Sequence, residues 1–506
     1  LLVTIYSIGY ITTHRLKYYA LLMLNLCSML GLAFSRDLLG FYIFFELVSI
    51  SAYFLIIHSR GTEALQAGYT YIVMMLVGGL FILTAIMLLV LAQGTTGHLG
   101  RLAGLCFALG CFLKAGSLPF HTWLPKAHPA APSPISALLS GLMIKVGAYG
   151  LVRAFFYPDV LGAASTISSP LSFESLKSVS GSMADTSMLT SLILVSGLFS
   201  MLFGVSLALL QKDLKKLLAY HSVSQIGYIL LGIGMGKYGL AGGLLHLISH
   251  AVFKGLLFLA VGAVIFRTGF RTIDKLGGLW NKMPLTTFAC IVAALSISGV
   301  PLTSGYASKG ILFGGLGGHL ALEIIFILTS AGTCASFLKV VRHTFFGSPA
   351  ASCSDVKEVS GFMTIPMLIL AGGSLLIGIF PTCVLKILLG PFAPAPHLWT
   401  LPHLFEALLS LGLGSALYVL LLRIGVFGLE HHEEAQPVPV KITDRGSLLK
   451  YCSVNNLYDA IARGIYDLGT QLEHIHHRSL SVYIQLVTSF LVFIIFVSVL
   501  LLSGTR

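Results

Sequence analysis

The segment FLKAGSLPFHTWLPKAHPAAPSPISALLSGLMIKVGAYGLVR, residues 112–153, decides the fold of this chain. It joins one apolar run, Leu102–Leu118, to the next, Ile135–Tyr157, through a half-polar stretch with several prolines. Proline and glycine leave backbone groups that lipid cannot satisfy, so such a break is tolerated in a membrane only where it faces protein or a water-filled cavity. The two runs carry Lys114 and Lys145, and the segment therefore predicts a broken membrane helix beside buried charge.

The composition of the whole chain is that of a membrane protein. Of its 506 residues, 56% are hydrophobic and 10% are charged, and the mean hydropathy is +0.91. A soluble domain carries about 25% charged residues, so this chain cannot coat a water-soluble globule of its size. Apolar runs long enough to cross a bilayer recur from end to end. We therefore expect an all-α integral membrane protein, a polytopic helix bundle in contact with the lipid bilayer.

About thirteen spans are predicted from these runs. They are Tyr18–Phe34, Leu38–His58, Tyr69–Ala92, Leu102–Leu118, Ile135–Tyr157, Met188–Leu210, Leu214–Gly234, Leu240–Ile265, Thr286–Phe313, Leu320–Val341, Phe362–Phe380, Leu404–Phe427 and Val482–Leu502.

Charge and cysteine content exclude several other classes of function. A net charge of +12 could indicate nucleic acid in a soluble protein. Here Lys and Arg lie mostly at helix ends and in short loops, which is the bias that orients membrane helices. No aromatic-basic motif accompanies them, so we expect no nucleic-acid partner. The eight cysteines show no CxxC or Cys/His spacing, and we expect buried free thiols with no metal and no cofactor in this chain.

A second break interrupts the run Thr286–Phe313 at Gly299 and Pro301. A pair of broken helices in two halves of a chain indicates an internal repeat whose ion site lies at the breaks. Two ordinary proline kinks are the alternative. The repeat is favoured because each break has a lysine close by, Lys114 at the first and Lys309 at the second.

Ionisable residues in the middle of spans are the candidates for function. Such a residue is costly in lipid and by default indicates an ion or proton path. Glu46 lies near the centre of LLGFYIFFELVSISAYFLI, residues 38–56, where it needs a cation, a proton or water. Lys114 and Lys145 lie too deep for their ammonium groups to reach an interface easily.

The stretch GLLHLISHAVFKGLLFLAVG, residues 243–262, is the most informative locally. His246, His250 and Lys254 are four residues apart, so they share one face of a helix and form a polar stripe. Histidine relays protons near neutral pH. The HxxxH pair could bind a metal instead, but the stripe holds no carboxylate or cysteine. Lys309 follows the second break. The alternative interpretation of this lysine is an anchor at the membrane surface.

Five stretches resemble a known family, the antiporter-like membrane subunits of respiratory complex I, energy-converting membrane-bound hydrogenases and multi-subunit cation/proton antiporters. The stretches are RDLLGFYIFFELVSISAYFLI (36–56), the opening segment (112–153), QKDLKKLLAYHSVSQIGYILLGIG (211–234), HLISHAVFKGLLFLAVGAVIFRTG (246–269) and GVPLTSGYASKGILF (299–313). They come in the family's order over Ser7–Phe346. The resemblance implies two inverted five-helix repeats, each with a broken helix. It also implies that the family's first two helices and most of the third precede the numbered chain.

The resemblance divides the chain into six regions. They are residues 1–157 as the end of an N-terminal helix and the first inverted repeat, 158–187 as a surface loop, 188–346 as the second inverted repeat, 347–429 as C-terminal transmembrane helices, 430–481 as a polar, amphipathic lateral segment, and 482–506 as a final transmembrane helix.

The resemblance also implies a role for each candidate residue. Glu46 matches the family's fifth-helix glutamate, and Lys114 matches its ion-pair partner on the first broken helix. Lys145 matches a central lysine, and His246, His250 and Lys254 match the central stripe. Lys309 matches the terminal lysine of the second broken helix. In the implied mechanism the first pair opens, and a proton moves along the axis through water chains and leaves beyond the last lysine.

The expected function is therefore proton translocation, or Na⁺/H⁺ translocation, by a subunit of a redox-driven complex of the complex I or membrane-bound hydrogenase type. The first alternative is a subunit of a secondary cation/proton antiporter without redox partners. The second is an inactive scaffold, which costly buried lysines argue against. The chain is not expected to be catalytic alone. We expect other membrane subunits as partners, including further antiporter-like ones, with peripheral iron–sulfur or redox subunits, in a prokaryotic inner membrane.

Overall fold

The computed structural model describes residues 1–92, 98–155, 186–236, 239–348, 355–390 and 398–427, together with Phe173, Leu176 and Cys353. All of them belong to one compact unit, Leu1–Glu433. The predicted lateral segment 430–481 and the predicted final helix 482–506 lie outside the described residues, as does nearly all of the predicted loop 158–187.

The described chain folds into helices that we number in order. They are α1 (Leu2–Tyr10), α2 (Arg15–Phe34), α3 (Leu38–Ile56), α4 (Thr62–Ala92), α5 (His98–Ala115), α6 (Leu124–Ala130), α7 (Ser133–Leu138), α8 (Lys145–Phe155), α9 (Thr186–Leu209), α10 (Leu214–Gly234), α11 (Leu240–Thr268), α12 (Pro284–Ser298), α13 (Ser304–Gly314), α14 (Leu320–Val341), α15 (Gly361–Ile379), α16 (Pro381–Leu389) and α17 (Leu401–Arg423).

These helices confirm an all-α membrane fold. Within the described residues, 11 helical segments are long and apolar enough to cross a membrane. The predicted span Thr286–Phe313 is present as α12 and α13 with a break between them, so twelve of the predicted spans are accounted for and the thirteenth lies outside the described residues. Many large apolar side chains are exposed on the spans, for example Leu80 and Leu376, as expected of surfaces that face lipid. The inverted symmetry of the two repeats stays a prediction.

The first break, between α5 and α6, satisfies its backbone groups with side chains. The carbonyl of Leu113 accepts a hydrogen bond from Nε1 of Trp123 at 3.1 Å. The amide of Leu118 donates to Ser200 Oγ at 2.9 Å, and its carbonyl accepts from Ser196 Oγ at 3.0 Å. Two serines of α9 therefore replace the helical partners that the prolines remove, as a break at membrane depth requires.

The second break, between α12 and α13, is held by a serine cluster. Gly299 adopts a φ of +85°, a left-handed conformation that ends α12 without a steric cost. The hydroxyls of Ser296, Ser304 and Ser374 lie 3.0 Å from one another, and the amide of Gly305 donates to Ser296 Oγ at 3.1 Å. The cluster joins both half-helices to α15.

The predicted span Ile135–Tyr157 contains a feature that the sequence did not indicate. Between α7 and α8, residues Leu139–Met143 form one wide π-turn, in which the amide of Ile144 donates to the carbonyl of Leu139 at 3.2 Å. Such turns are common at functional sites because they free a carbonyl and rotate the residues that follow. The residue that begins α8 directly after this turn is Lys145.

The two membrane faces of the bundle differ strongly in charge. Arg271 joins the segments at one face, since its guanidinium lies 3.4 Å from Glu63 and from Asp213 and 3.3 Å from the Pro129 carbonyl. Most of the described basic residues outside the buried axis lie at this basic face; they include Arg15, Lys17, Arg60, Lys212, Lys215, Lys216, Arg267, Arg271, Lys275, Lys282, Lys339, Arg342, Lys357 and Arg423. At the opposite face the described basic residues are Arg36, Arg101, Arg153 and Lys386. The positive-inside rule predicts that the basic face is cytoplasmic.

Candidate functional site

Lys114 and Glu46 lie on neighbouring helices, α5 and α3, close enough for their charges to interact. Nζ of Lys114 donates to Ser49 Oγ at 2.7 Å and lies 4.6 Å from the centre of the Phe45 ring. The described residues include ion pairs within 4 Å only near the basic face, so Glu46 and Lys114 are not in direct contact. That these two residues form an ion pair during function stays a prediction.

Lys145 is buried at the start of α8, and its ammonium group turns back onto the π-turn. Nζ of Lys145 donates to the carbonyl of Ser140, which the wide turn leaves free. The hydroxyl of Ser140 also lies 2.7 Å from that of Ser222 on α10. Lys145 is close enough to His250 and Lys254 for charge interaction. The turn therefore aims Lys145 at the stripe on α11.

The predicted stripe of α11 is continuous and fully buried. The rings of His246 and His250 are parallel within 3°, with centroids 6.3 Å apart. Nζ of Lys254 donates to the carbonyl of Leu218 at 2.6 Å. Both ring nitrogens of His250 are buried without a hydrogen-bond partner in the described part of the chain. An unpaired polar atom in such a place indicates an unseen water or a transferable proton.

His246 connects the stripe to the second broken helix. Its Nδ1 lies 2.9 Å from Ser308 Oγ, and its Nε2 lies 3.1 Å from Gln225 Oε1. Both ring nitrogens are therefore engaged, which leaves none for the metal that the HxxxH spacing allowed. Among the described residues no cluster of three His, Cys, Asp or Glu side chains could hold a metal ion.

Lys309, next to Ser308 on α13, is 3% exposed. Its Nζ donates to the Ile297 carbonyl, freed by the second break, at 2.9 Å and lies 5.1 Å from the centre of the Tyr228 ring. Lys309 is therefore a buried group, and the alternative of a surface anchor is wrong.

One kind of contact is common to the buried lysines of the axis. Each donates to a main-chain carbonyl; the carbonyls are those of Phe45, Ser140, Leu218 and Ile297. A carbonyl accepts a stronger hydrogen bond from an ammonium than from a neutral amine, but the neutral amine still has N–H groups that it can donate. These lysines can therefore keep a carbonyl contact in either protonation state, although a weaker one when they are neutral.

The structure joins most of the candidate residues but not all of them. Lys145, His246, His250, Lys254 and Lys309 form one connected group through contacts or charge interaction. Lys114 and Glu46 form a second group. Between the groups, α5 packs closely on α8. Gly147 of α8 lies so near α5 that an added Cβ would meet the Cys111 carbonyl. The described side chains do not bridge the remaining gap, and water is the expected bridge.

Sequence reasoning missed several buried ionisable groups. Glu406 of α17 is 6% exposed although it lies in a predicted span, so the rule that selected Glu46 should also have selected it. His221 and His128 are fully buried with unpaired ring nitrogens in the described structure. Lys215 lies in the first turn of α10, and its Nζ is buried against the Ala131 carbonyl at 2.8 Å.

Comparisons with known proteins identify the class. The family described as "NADH:quinone oxidoreductase/Mrp antiporter, TM" matches residues 35–180 and 176–338. Hydrogenase-4 component B of Escherichia coli is 31% identical over 417 residues, which are 74% of this chain and 59% of that protein. NADH-quinone oxidoreductase subunit N of Desulforudis audaxviator is 30% identical over 393 residues, 72% of this chain and 74% of that protein.

A solved structure shares the fold. The Mrp complex from Dietzia sp. DQ12-45-1b contains a chain that superposes with a TM-score of 0.76 at 26% identity, covering 100% of this chain and 54% of that one. The present chain thus spans less than two thirds of the length of some relatives that it matches.

The protein belongs to the NADH:quinone oxidoreductase/Mrp antiporter family of membrane subunits, which confirms the resemblance that its motifs carry. It is a multi-pass protein of the inner membrane. Its relatives are subunits of larger membrane complexes.

Proposed function

We propose that this chain translocates protons, or exchanges Na⁺ for H⁺, as a subunit of a redox-driven membrane complex of the complex I or membrane-bound hydrogenase type. The observation that carries the proposal is the connected buried group of Lys145, the α11 stripe and Lys309. An apolar bundle has no structural need for so many ionisable side chains, because each is costly at membrane depth. A chain of groups that exchange protons explains their presence.

The proposed cycle begins at Glu46 and Lys114. Closing of this pair holds a proton on Lys114, and opening of the pair releases it inward through water. The proton then moves through Lys145 and the stripe to Lys309. The carbonyl acceptors described above support this cycle, because a lysine can keep its bond to a carbonyl after it loses a proton, although the bond is then weaker. The pair is open in the present structure, which supports a movable contact rather than a fixed salt bridge.

The partners follow from the same proposal. We expect other membrane subunits, including further antiporter-like ones, and peripheral iron–sulfur or redox subunits that supply the driving force. Two of the reported relatives, hydrogenase-4 component B and NADH-quinone oxidoreductase subunit N, have names that refer to redox complexes. Their names support the redox-driven form of the proposal.

A second candidate is a subunit of a multi-subunit secondary cation/proton antiporter. The observation that favours it is the match of the whole chain to a chain of the Mrp complex. The buried axis would serve an ion gradient as well as a redox reaction, because it contains no group that transfers electrons in either case.

Isolation of the intact complex through this chain, followed by mass spectrometry, separates the two candidates. Co-purification of iron–sulfur, flavin or nickel–iron subunits supports the redox-driven complex. A complex of small membrane subunits alone supports the secondary antiporter. Recovery of the chain by itself, from membranes in which it is abundant and stable, would contradict both.

A further inference from the structure

The end of the axis lies opposite a carboxylate on another helix. Glu406 of α17 and Lys309 of α13 are both buried, and they are close enough for their charges to interact. They line one small cavity together with hydroxyl groups and the glycine of the second break. The other lining residues are Ser298, Gly299, Tyr306, Ser330, Ala407 and Ser410.

The two charged groups line the same cavity without bonding to each other. Nζ of Lys309 donates to Ile297, and Glu406 accepts a hydrogen bond from Ser410 Oγ at 3.4 Å, so neither is bonded to the other. The space is small, has charged and hydroxyl groups in its lining and suits about one water, which needs two to four polar partners. A bridging water would connect the ammonium to the carboxylate, and the hydroxyls of Ser298, Tyr306, Ser330 and Ser410 also line the space.

A histidine continues this path toward a membrane face. His403 lies three residues before Glu406 on α17, so the two side chains share one helix face. Its Nδ1 is buried without a hydrogen-bond partner in the described structure, while the residue as a whole is partly exposed. The ring of His403 packs against the end of α13. A Cβ added to Gly314 would lie 3.2 Å from Cε1 of this ring. Since α17 begins at Leu401, His403 is close to the face opposite the basic one.

We propose that Glu406 accepts the proton that Lys309 releases and transfers it to His403, which delivers it to the non-cytoplasmic face. In the first step an N–H bond of the Lys309 ammonium breaks, its electron pair stays on nitrogen, and an O–H bond forms on Glu406 through the cavity water. In the second step the ring of His403 takes this proton and restores the carboxylate. No electron carrier is needed. The inference rests on the proposed function and assigns its last step.

The substitution Glu406→Gln tests the inference in the intact complex. It keeps the shape of the side chain and its bond to Ser410 but removes the proton acceptor. In inverted membrane vesicles, we expect the rate of proton translocation to fall at least about tenfold, which is about 1.4 kcal/mol in the barrier. The matched control is Glu323→Gln, near the same face in α14 but outside the cavity, which should translocate at the normal rate.

The variant Lys309→Ala, measured beside it, separates failure of the inference from failure of the proposed function. Normal translocation by Lys309→Ala would overturn the proposed function. Loss in Lys309→Ala with normal rates in Glu406→Gln would overturn the inference alone.

Two further variants distinguish proton transfer from a structural role. They also keep the inference testable if Glu406→Gln assembles poorly. The variant His403→Gln should assemble and slow translocation several-fold, and a normal rate would remove His403 from the path. Glu406→Asp should assemble and retain part of the activity. Infrared difference spectra of the working complex should contain a protonated carboxyl band that Glu406→Asp shifts. An unchanged spectrum in this variant would show that Glu406 stays ionised and only neutralises Lys309.

Discussion

The carboxylate of Glu46 occupies the space where a Cβ atom at position 79 would lie. Gly79 of α4 has no Cβ, so Oε1 of Glu46 enters the groove of the neighbouring helix. This oxygen is buried and has no hydrogen-bond partner in the described structure. Glu46 is therefore held by shape rather than by bonds, which leaves it able to move toward or away from Lys114.

Replacement of Gly79 by alanine should change the position of Glu46 without removing any charge. The added methyl group overlaps Oε1, so the carboxylate must rotate and its distance from Lys114 must change. We expect proton translocation in vesicles to fall several-fold while the complex assembles normally. Gly372→Ala in α15 is the matched control, because nothing lies within 4 Å of its new Cβ. Equal rates in both variants would contradict a precise placement of Glu46.

Replacement of Lys114 by alanine should abolish translocation and leave assembly intact. The lysine bonds only to Ser49 and Phe45 in this structure, so few contacts are lost, but the first proton carrier of the axis is removed. A pH-sensitive dye in energised vesicles measures the loss, and gel filtration of the solubilised complex measures assembly. Lys126→Ala, on the exposed side of α6, controls for loss of a positive charge. Normal pumping by Lys114→Ala would refute the proposed cycle.

Replacement of Gly305 by alanine should destabilise the second break. A Cβ at this position would overlap the Ser296 carbonyl, and the serine cluster that joins α12, α13 and α15 would have to separate. Overpacking of this kind typically costs about 1–3 kcal/mol. We expect the solubilised complex to lose its native elution peak at a lower temperature than wild type. Gly373→Ala, which adds a methyl group into open space, should leave that temperature unchanged.

The charge difference between the faces predicts the orientation of the chain. Lys357 is exposed at the basic face and Lys386 is exposed at the opposite one. With the native cysteines that react with maleimide replaced by serine, among them the exposed Cys27 and Cys383, a membrane-impermeant maleimide should label Lys386→Cys but not Lys357→Cys in intact cells, and inverted vesicles should reverse the result. The opposite pattern would place the basic face outside and would reverse the direction of the proposed path.

Sequence alone was sufficient for the parts of the fold that depend on local composition. The apolar runs located the spans, and the prolines and glycines located both breaks, because lipid imposes the same length and bonding rules on every helix. The spacing of His246, His250 and Lys254 was sufficient to place them on one face. These predictions needed no knowledge of which helices pack together.

What sequence could not supply depends on contacts between distant helices. The bond from His246 to Ser308 joins residues 62 positions apart and exists only because α11 packs against α13. The π-turn before Lys145 has no local signature. Lys215 lies at a helix end, a position that is usually exposed to water, but here the loop after α6 covers it. Glu406 was within reach of sequence reasoning but was overlooked among apolar neighbours.

The carbonyl acceptors of the buried lysines have a consequence for how this protein can evolve. A main-chain oxygen is present whatever amino acid the codon at its position specifies, so substitutions at Phe45, Leu218 or Ile297 cannot delete the acceptor itself. The positions of the lysine acceptors thus depend on the backbone fold, and the side chains of the acceptor residues can change without removing them. Distant homologues can therefore share the same buried axis even when few of the residues around it are the same.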